Sequence, residues 1–374
     1  MNAANKLHYY HTMHAVNLEK VKLESIHQIM KYFKRMRSDL AGELARFDPT
    51  EPTRMSFKMK RAQKLFERAE QVIAEGYREI DKRMRPELKD AAAMEAEFSR
   101  QAINRAVGVE IASVALPAST MEKIVSDVMV LGAPSKEFWT REGVRLTNKF
   151  KDTIRMHLLR GDTLGKMLRS VRGTREMQFT DGILTASTRE AASLIRTSMQ
   201  TVANRSAEAT YRENDDVVKG FVWLSTLDNR TTEICAVRDG LEYTLDMEPI
   251  GHSLPWLEGP GSVHYQCRSR SMPLLADYDG LPKAKQDAIR KAGKRSSMFG
   301  SVDRGTKFEP WLKEMDQKRP GFADEILGKQ KAQLWRNSKL GLRDMVTGDG
   351  KPIPARVLKT KYASEWARAF KEEN

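Results

Sequence analysis

The only two cysteines of this 374-residue chain, Cys235 and Cys267, lie in one short stretch, and His264 stands three residues before the second cysteine. Thiolate sulfur and imidazole nitrogen are good zinc ligands, and a histidine and a cysteine three residues apart can bind one ion from a single turn. We therefore expect the three side chains to converge in the fold, whichever interaction holds them together.

Three interpretations of this triad remain open at the level of sequence. A metal site needs a fourth ligand, for which Asp228, Asp239 and His252 are the nearby candidates, or a water molecule if the site is catalytic. A disulfide between the cysteines would close a loop of about thirty residues and stabilise the fold by about 3 to 4 kcal/mol. In the third interpretation, the cysteines are small buried side chains beside a hydrogen-bonded histidine.

The segment around the triad predicts a small region of β-structure. Residues 217–224 have the β-branched and aromatic content of a strand, and residues 242–244 can pair with it across the turn Asp239-Gly240. Residues 249–261 include three prolines and three glycines, which predicts an irregular loop. This loop would return the second half of the motif to Cys235.

The spacing of the motif carries a family resemblance. Its residues are Trp223, Asp228, Arg230-Thr231, Cys235, Asp239-Gly240, Tyr243, His264, Cys267-Arg268 and Pro273. This pattern resembles the core motif of the Mu F-like minor head morphogenesis proteins of tailed phages, and with its flanking segments the likeness covers residues 135–350. Many relatives end the motif Cys-Arg-Cys, whereas this chain has Ser269 at the last position, which removes one potential ligand.

The resemblance implies an α+β, predominantly helical fold. We expect a long helical N-terminal region over residues 1–134, a small mixed α/β Mu F-like domain over residues 135–350, and a C-terminal tail over residues 351–374. The implied function is that of a minor capsid-associated protein, not an enzyme, which acts in head morphogenesis near the portal. Its implied partners are portal and capsid proteins, and its implied locations are the virion and, during assembly, the host cytoplasm.

The alternative function is a DNA-binding metalloprotein with nuclease or other hydrolytic activity. It requires a zinc ion held by Cys235, His264 and Cys267 with an open position, and Glu233 is a conceivable base. With Asp228 as a fourth ligand, the same ion would be structural instead.

Hydrophobic periodicity predicts helices in the N-terminal region. Apolar residues recur every three or four positions over residues 26–44 and again over residues 65–80. Two prolines within residues 47–53 predict a break between these helices, and a third helix is expected to begin after Pro86. The two helices should form a long antiparallel hairpin or part of a bundle.

Charge indicates polyanionic or acidic partners. The formal net charge is +14, and residues 151–175 carry seven basic and two acidic residues. If this window faces double-stranded DNA, Arg160, Lys166, Arg169 and Arg172 would bind phosphates without sequence specificity. An ordinary solvated helix face and a docking surface for an acidic protein are the alternatives. No apolar run reaches the length of a membrane span, so no membrane partner is expected.

Overall fold

The computed structural model describes residues 3–47, 55–108, 110–127, 129–130, 133–275, 294–303 and 305–370. The described chain is mostly helical and contains a small antiparallel sheet, which confirms the predicted α+β, predominantly helical class. Among the described residues, no helix combines the length and apolarity that a bilayer crossing requires.

The chain divides into two compact units, and neither is one continuous segment. The first unit comprises residues 1–17, 93–121 and 203–374, and the second comprises residues 18–92 and 122–202. Residues of the predicted N-terminal helical region therefore belong to both units.

The first two helices, α1 (Ala3–Ala45) and α2 (Met55–Val107), run antiparallel. Within the second unit, three contacts join the helices: the Ser25 hydroxyl donates to Glu87, the ring of Phe33 contacts that of Tyr77, and Arg68 pairs with Glu43. The residue numbers of the partners on α2 decrease as those on α1 increase, as antiparallel helices require. The apolar residues that set the sequence periodicity form the buried seam, which confirms the predicted hairpin. The predicted break itself falls largely on residues 48–54, outside the described part.

The prediction that a third helix begins after Pro86 is wrong, because α2 continues through this proline. Proline removes one backbone hydrogen bond and crowds the preceding turn, at a cost of about 3 kcal/mol. Met84 and Leu88 are both buried on either side of it, and Glu87 accepts the hydrogen bond from Ser25. Packing along the seam thus outweighs the local preference for a break.

The remaining elements up to residue 212 are mostly helical. They are α3 (Ala118–Ser126), β1 (Met129–Val130), β2 (Ala133–Pro134), α4 (Ser135–Arg160), α5 (Leu164–Arg172) and α6 (Leu184–Arg212). In the second unit, α4 buries Trp139, Phe150 and Ile154, while α5 buries Met167 and Val171. These side chains complete the apolar interior of that unit.

The sheet of the first unit is built on β3 (Val218–Leu224). It pairs antiparallel with β4 (Glu242–Thr244) on one side and β6 (Arg270–Leu275) on the other, and β5 (Pro249–Ile250) extends the β4 edge. A single turn, α7 (Glu233–Ala236), lies between β3 and β4 in the chain. The predicted strand, its partner strand and the irregular loop that follows are confirmed.

The C-terminal part of the first unit forms a second apolar cluster. Its elements are β7 (Lys294–Ser297), β8 (Gly300–Asp303), α8 (Phe308–Lys318), α9 (Phe322–Leu327), α10 (Lys329–Arg336), a 3-10 turn (Leu342–Met345), α11 (Ala355–Lys361) and α12 (Ala363–Ala369). Trp311 is fully buried at its centre. Leu358 and Trp366 belong to the segment predicted as a C-terminal tail, and they pack in the same cluster.

Candidate metal centre

The structure brings Cys235, His264 and Cys267 together, as predicted. Cys235 lies on α7, and Cys267 lies shortly before β6, so the pairing of β3 with β6 returns the second cysteine to the first. One ligand atom from each of the three side chains lies within 4.8 Å of the others. Both cysteines are buried in the core that contains Trp223 and Trp256, and both are free thiols.

The contacts within the triad are short. The two sulfur atoms are 3.6 Å apart, and the Sγ atom of Cys235 lies 3.2 Å from Nε2 of His264. The Thr232 hydroxyl approaches the same Nε2 atom at 2.9 Å. The backbone N–H of Gly261 donates to the sulfur of Cys267 at 3.3 Å.

The hydrogen bonds of His264 fix which ring nitrogen faces the sulfurs. Nδ1 lies 2.8 Å from the carbonyl oxygen of Tyr265, and because a carbonyl only accepts, Nδ1 must carry the proton. In the neutral imidazole the lone pair is then on Nε2, beside the Cys235 sulfur. Histidine ligands of metals are commonly oriented in this way, through a second N–H donated to a backbone carbonyl.

The electrostatics of the triad favour one thiolate at Cys267. Burial raises the pKa of the Cys235 thiol well above its usual value. Burial also acts to raise the pKa of the Cys267 thiol, but the hydrogen bond from Cys235 and the nearby His264 lower it well below its usual range. Burial acts to lower the pKa of His264, and Cys267 reverses this effect and raises it.

The donor geometry fits a tetrahedral ion. With zinc–sulfur bonds of about 2.3 Å and zinc–nitrogen bonds of about 2.0 Å, two sulfurs lie about 3.8 Å apart and a sulfur and a nitrogen about 3.5 Å apart. Two of the observed separations, 3.6 Å and 3.2 Å, are close to these values, and the third lies within 4.8 Å. The three side chains can therefore hold a metal ion.

Each candidate for the fourth ligand is engaged elsewhere. Asp228 forms a two-pronged ion pair with Arg268. Both carboxylate oxygens of Asp239 accept from Arg295, and one also accepts the Ser225 N–H. His252 contacts the carbonyl of Glu242 through Nε2 and accepts the Leu254 N–H through Nδ1. Among the described residues, the group that can hold an ion comprises Cys235, His264 and Cys267 alone.

Asp228 therefore makes charge-assisted hydrogen bonds within the fold. It also accepts the backbone N–H of Arg230 and contacts the Thr231 hydroxyl, which closes the turn into α7. The Arg230 side chain is 75% exposed and its Nε atom lies 3.9 Å from the Asp228 carboxylate. Arg230 therefore contributes mainly through its backbone.

Glu233, the conceivable base, pairs with Lys331 of α10. Burial raises the pKa of Glu233, and the ammonium of Lys331 opposes this effect. The sequence gives no sign of this partner or of Arg295, because both lie far along the chain from the motif. Thr232 and Gly261 are neighbours of the motif in sequence, but a hydroxyl and a backbone N–H carry no spacing signal.

We expect Asp228→Asn to destabilise the first unit by about 2 kcal/mol at pH 7, because the variant lacks the hydrogen bonds to a charged group. Burial would raise the pKa of Asp228, but Arg268 outweighs it, so the folded pKa lies below the usual value. This contribution is therefore present above the unfolded pKa of about 3.9 and disappears as the pH falls further. Urea unfolding at pH 7 and pH 3 measures it.

The matched control is Asp152→Asn. The carboxylate of Asp152 pairs with Arg155 and is 70% exposed. This variant should change stability by less than about 0.5 kcal/mol at either pH. A penalty for Asp228→Asn that stays the same at pH 3 would contradict the role of its charge.

The four basic residues selected from the sequence do not all line one cavity. Arg160, Lys166 and Arg169 line an open polar depression of about 560 Å³ in the second unit, together with His157. Lys166 pairs with Asp162 at 2.8 Å, and Asp162 also contacts His157. Arg172 lines a different cavity, beyond α5.

Comparison of the chain with known protein families, with curated proteins and with solved structures finds no match in any of the three.

Proposed function

We propose that the chain is a structural protein of a phage head, acting in head morphogenesis near the portal, and that Cys235, His264 and Cys267 bind a zinc ion that stabilises its small β-sheet. The motif spacing that resembles the Mu F-like family supports the first part. The separations and hydrogen bonds of the triad support the second part.

The observation that best supports a structural role is that the acidic residues of the motif form ion pairs within the fold. Asp228, Asp239 and Glu233 each have a basic partner, so their charges stabilise internal contacts. In many hydrolytic zinc sites a free carboxylate takes the proton from the zinc-bound water. The three carboxylates between β3 and β4 are therefore committed to ion pairs.

The hydrolase alternative keeps one feature in its favour, which is a donor set of three residues that leaves one position of a tetrahedral ion for water. Incubation of the zinc-loaded protein with supercoiled plasmid tests it. Nicked or linear product that disappears in a His264→Ala variant would favour the alternative and contradict a purely structural ion.

The head assignment predicts that the chain is a low-copy component of particles. We expect quantitative mass spectrometry of gradient-purified heads, from a phage that encodes this chain, to detect it at far lower abundance than the major capsid protein. A nonsense mutation in its gene should reduce the yield of heads filled with DNA. Normal filled heads without the chain would overturn the proposal.

Contact with packaged DNA is a separate part of the proposal, and it rests on the exposed cations of α4 and α5. Changing Arg160, Lys166, Arg169 and Arg172 to glutamine should weaken binding to all duplexes equally, because interactions with phosphate carry no base information. The slope of log affinity against log salt should fall by about 0.9 for each phosphate that is no longer neutralised. Fluorescence anisotropy with two unrelated duplexes over a salt series measures both effects.

The control variant changes four exposed cations of the first unit to glutamine, namely Lys329, Arg356, Lys359 and Lys361. It removes the same charge, so it separates a local surface from overall attraction. Equal weakening by both variants would contradict a DNA surface at α5. Unchanged DNA binding in the first variant together with failure to enter heads would assign these residues to a protein partner.

A further inference from the structure

The cavity beyond α5 in the second unit differs in character from the open depression that Arg160 lines. It has a volume of about 240 Å³, and four cationic residues line it: Lys34, Arg37, Arg172 and Arg189. Among the described residues that border it, none is acidic. We call this cavity the basic pocket.

Within the described residues, none of these four cations forms an ion pair with a carboxylate. By contrast, Arg336 binds Asp316 and Asp324, and Arg145 binds Glu142. Four cations around one small cavity repel one another, and a bound anionic partner would relieve that repulsion.

The lining is apolar between these charges. Phe33, Val171 and Leu184 are buried side chains that border the cavity. A volume of 240 Å³ is below the range of about 300 to 1,000 Å³ that is typical for drug-sized ligands, so it suits one apolar side chain better than a whole cofactor.

One wall is a loop whose geometry is fixed. Gly173 has a φ of 84°, where a side chain would also collide with the backbone of Gly182. The carboxylate of Asp181 accepts from both the backbone N–H and the hydroxyl of Thr174. These contacts hold Phe179 at a φ of 62°, which is rare for an aromatic residue, with Arg37 stacked 5.2 Å above its ring.

We infer that the basic pocket docks an acidic protein segment that inserts one apolar side chain. The four cations bind carboxylates of the segment, and the apolar lining takes the anchor, which is the usual arrangement of a buried anchor inside a polar rim. Duplex DNA offers phosphates but no side chain to fill the cavity. The docking surface does not depend on the chain being a head protein.

The test uses the full-length protein and a labelled short peptide in which one leucine is flanked on both sides by aspartate and glutamate. Fluorescence anisotropy should show binding at least about tenfold tighter than for the same peptide with glycine at the centre, because binding removes the apolar leucine side chain from water. Binding should weaken as salt increases.

Charge reversal locates the site. The double variant Lys34→Glu with Arg189→Glu, both at exposed positions, should bind the leucine peptide at least about tenfold more weakly. Arg160→Glu with Arg169→Glu makes the same change in charge outside the pocket and should have a much smaller effect. Circular dichroism checks that both variants fold. A photoreactive group in place of the leucine should crosslink to tryptic peptides that contain Phe33 or Leu184.

Three outcomes would overturn the inference. Equal affinity for the leucine and glycine peptides would show that the pocket is only a cationic surface that binds polyanions without taking up an apolar side chain. Equal weakening by the two charge-reversal variants would show that the site lies elsewhere. A single-stranded oligonucleotide that binds more tightly than the peptide, and binds weakly to the Lys34 and Arg189 variant, would make the pocket a nucleotide site with Phe179 as its stacking surface.

Discussion

Replacement of Cys267 by serine is expected to abolish zinc binding and the stabilisation that zinc gives. Cys267 is one of the three side chains whose ligand atoms converge, and its sulfur lies 3.6 Å from that of Cys235. A hydroxyl in its place is a poor ligand. The wild-type protein should take up one zinc ion per chain, measured by metal analysis after removal of free ions.

Stability gives the second readout of the same prediction. At free zinc one hundred times the dissociation constant, binding to the folded state contributes about 2.7 kcal/mol. For a unit of this size we expect the melting temperature to rise by about 5 °C. The Cys267→Ser variant should show no rise, and the wild-type protein should lose its rise on addition of a chelator.

Asp228→Asn is the matched control, because the Asp228 carboxylate is bound by Arg268 and lies outside the triad. It should keep one zinc per chain. Loss of zinc in this variant would return Asp228 to the role of fourth ligand. A wild-type protein without zinc affinity at neutral pH would leave the triad as a hydrogen-bonded thiol pair.

The convergence of the triad was predictable because it depends on local features. The strand over residues 217–224, the turn at Gly240 and the loop over residues 249–261 together dictate that the chain returns to Cys235. Each feature has a sequence signal in β-branched residues, glycine or proline. The antiparallel pairing of α1 and α2 was predictable for the same reason, from a periodic apolar stripe on both helices.

What the sequence could not predict is pairing over long separations. Asp228 has the chemistry of a ligand and of an ion-pair partner, and only the position of Arg268 in the fold decides between them. The continuity of α2 through Pro86 depends likewise on packing against α1. The basic pocket combines Lys34 and Arg37 of α1 with residues of α5 and α6, so no window of the sequence contains it.

The buried ion pair between Arg295 and Asp239 should be among the most costly interactions of the first unit to break. The guanidinium of Arg295 donates to both carboxylate oxygens and to the carbonyls of Ser225 and Thr306. Both side chains are almost fully buried, with exposed fractions of 5% and 1%. Arg295→Leu would therefore leave a carboxylate and two carbonyls without these donors.

We expect Arg295→Leu to destabilise the first unit by about 3 to 5 kcal/mol, because the remaining charge of Asp239 stays buried and uncompensated. Urea unfolding followed by tryptophan fluorescence measures this effect. The control Arg368→Leu removes a 68% exposed partner of Glu365 and should cost less than about 1 kcal/mol.

The double variant Arg295→Leu with Asp239→Asn separates the pair from its surroundings. Removal of the uncompensated charge should recover part of the stability, since the penalty comes from the buried carboxylate as well as from the missing attraction. Because Asp239 also accepts the Ser225 N–H at the end of β3, the recovery should be incomplete. A double variant as unstable as Arg295→Leu alone would show that the bonds to Ser225 and Thr306 dominate, and that Arg295 acts as a clamp on the backbone rather than as a counter-ion.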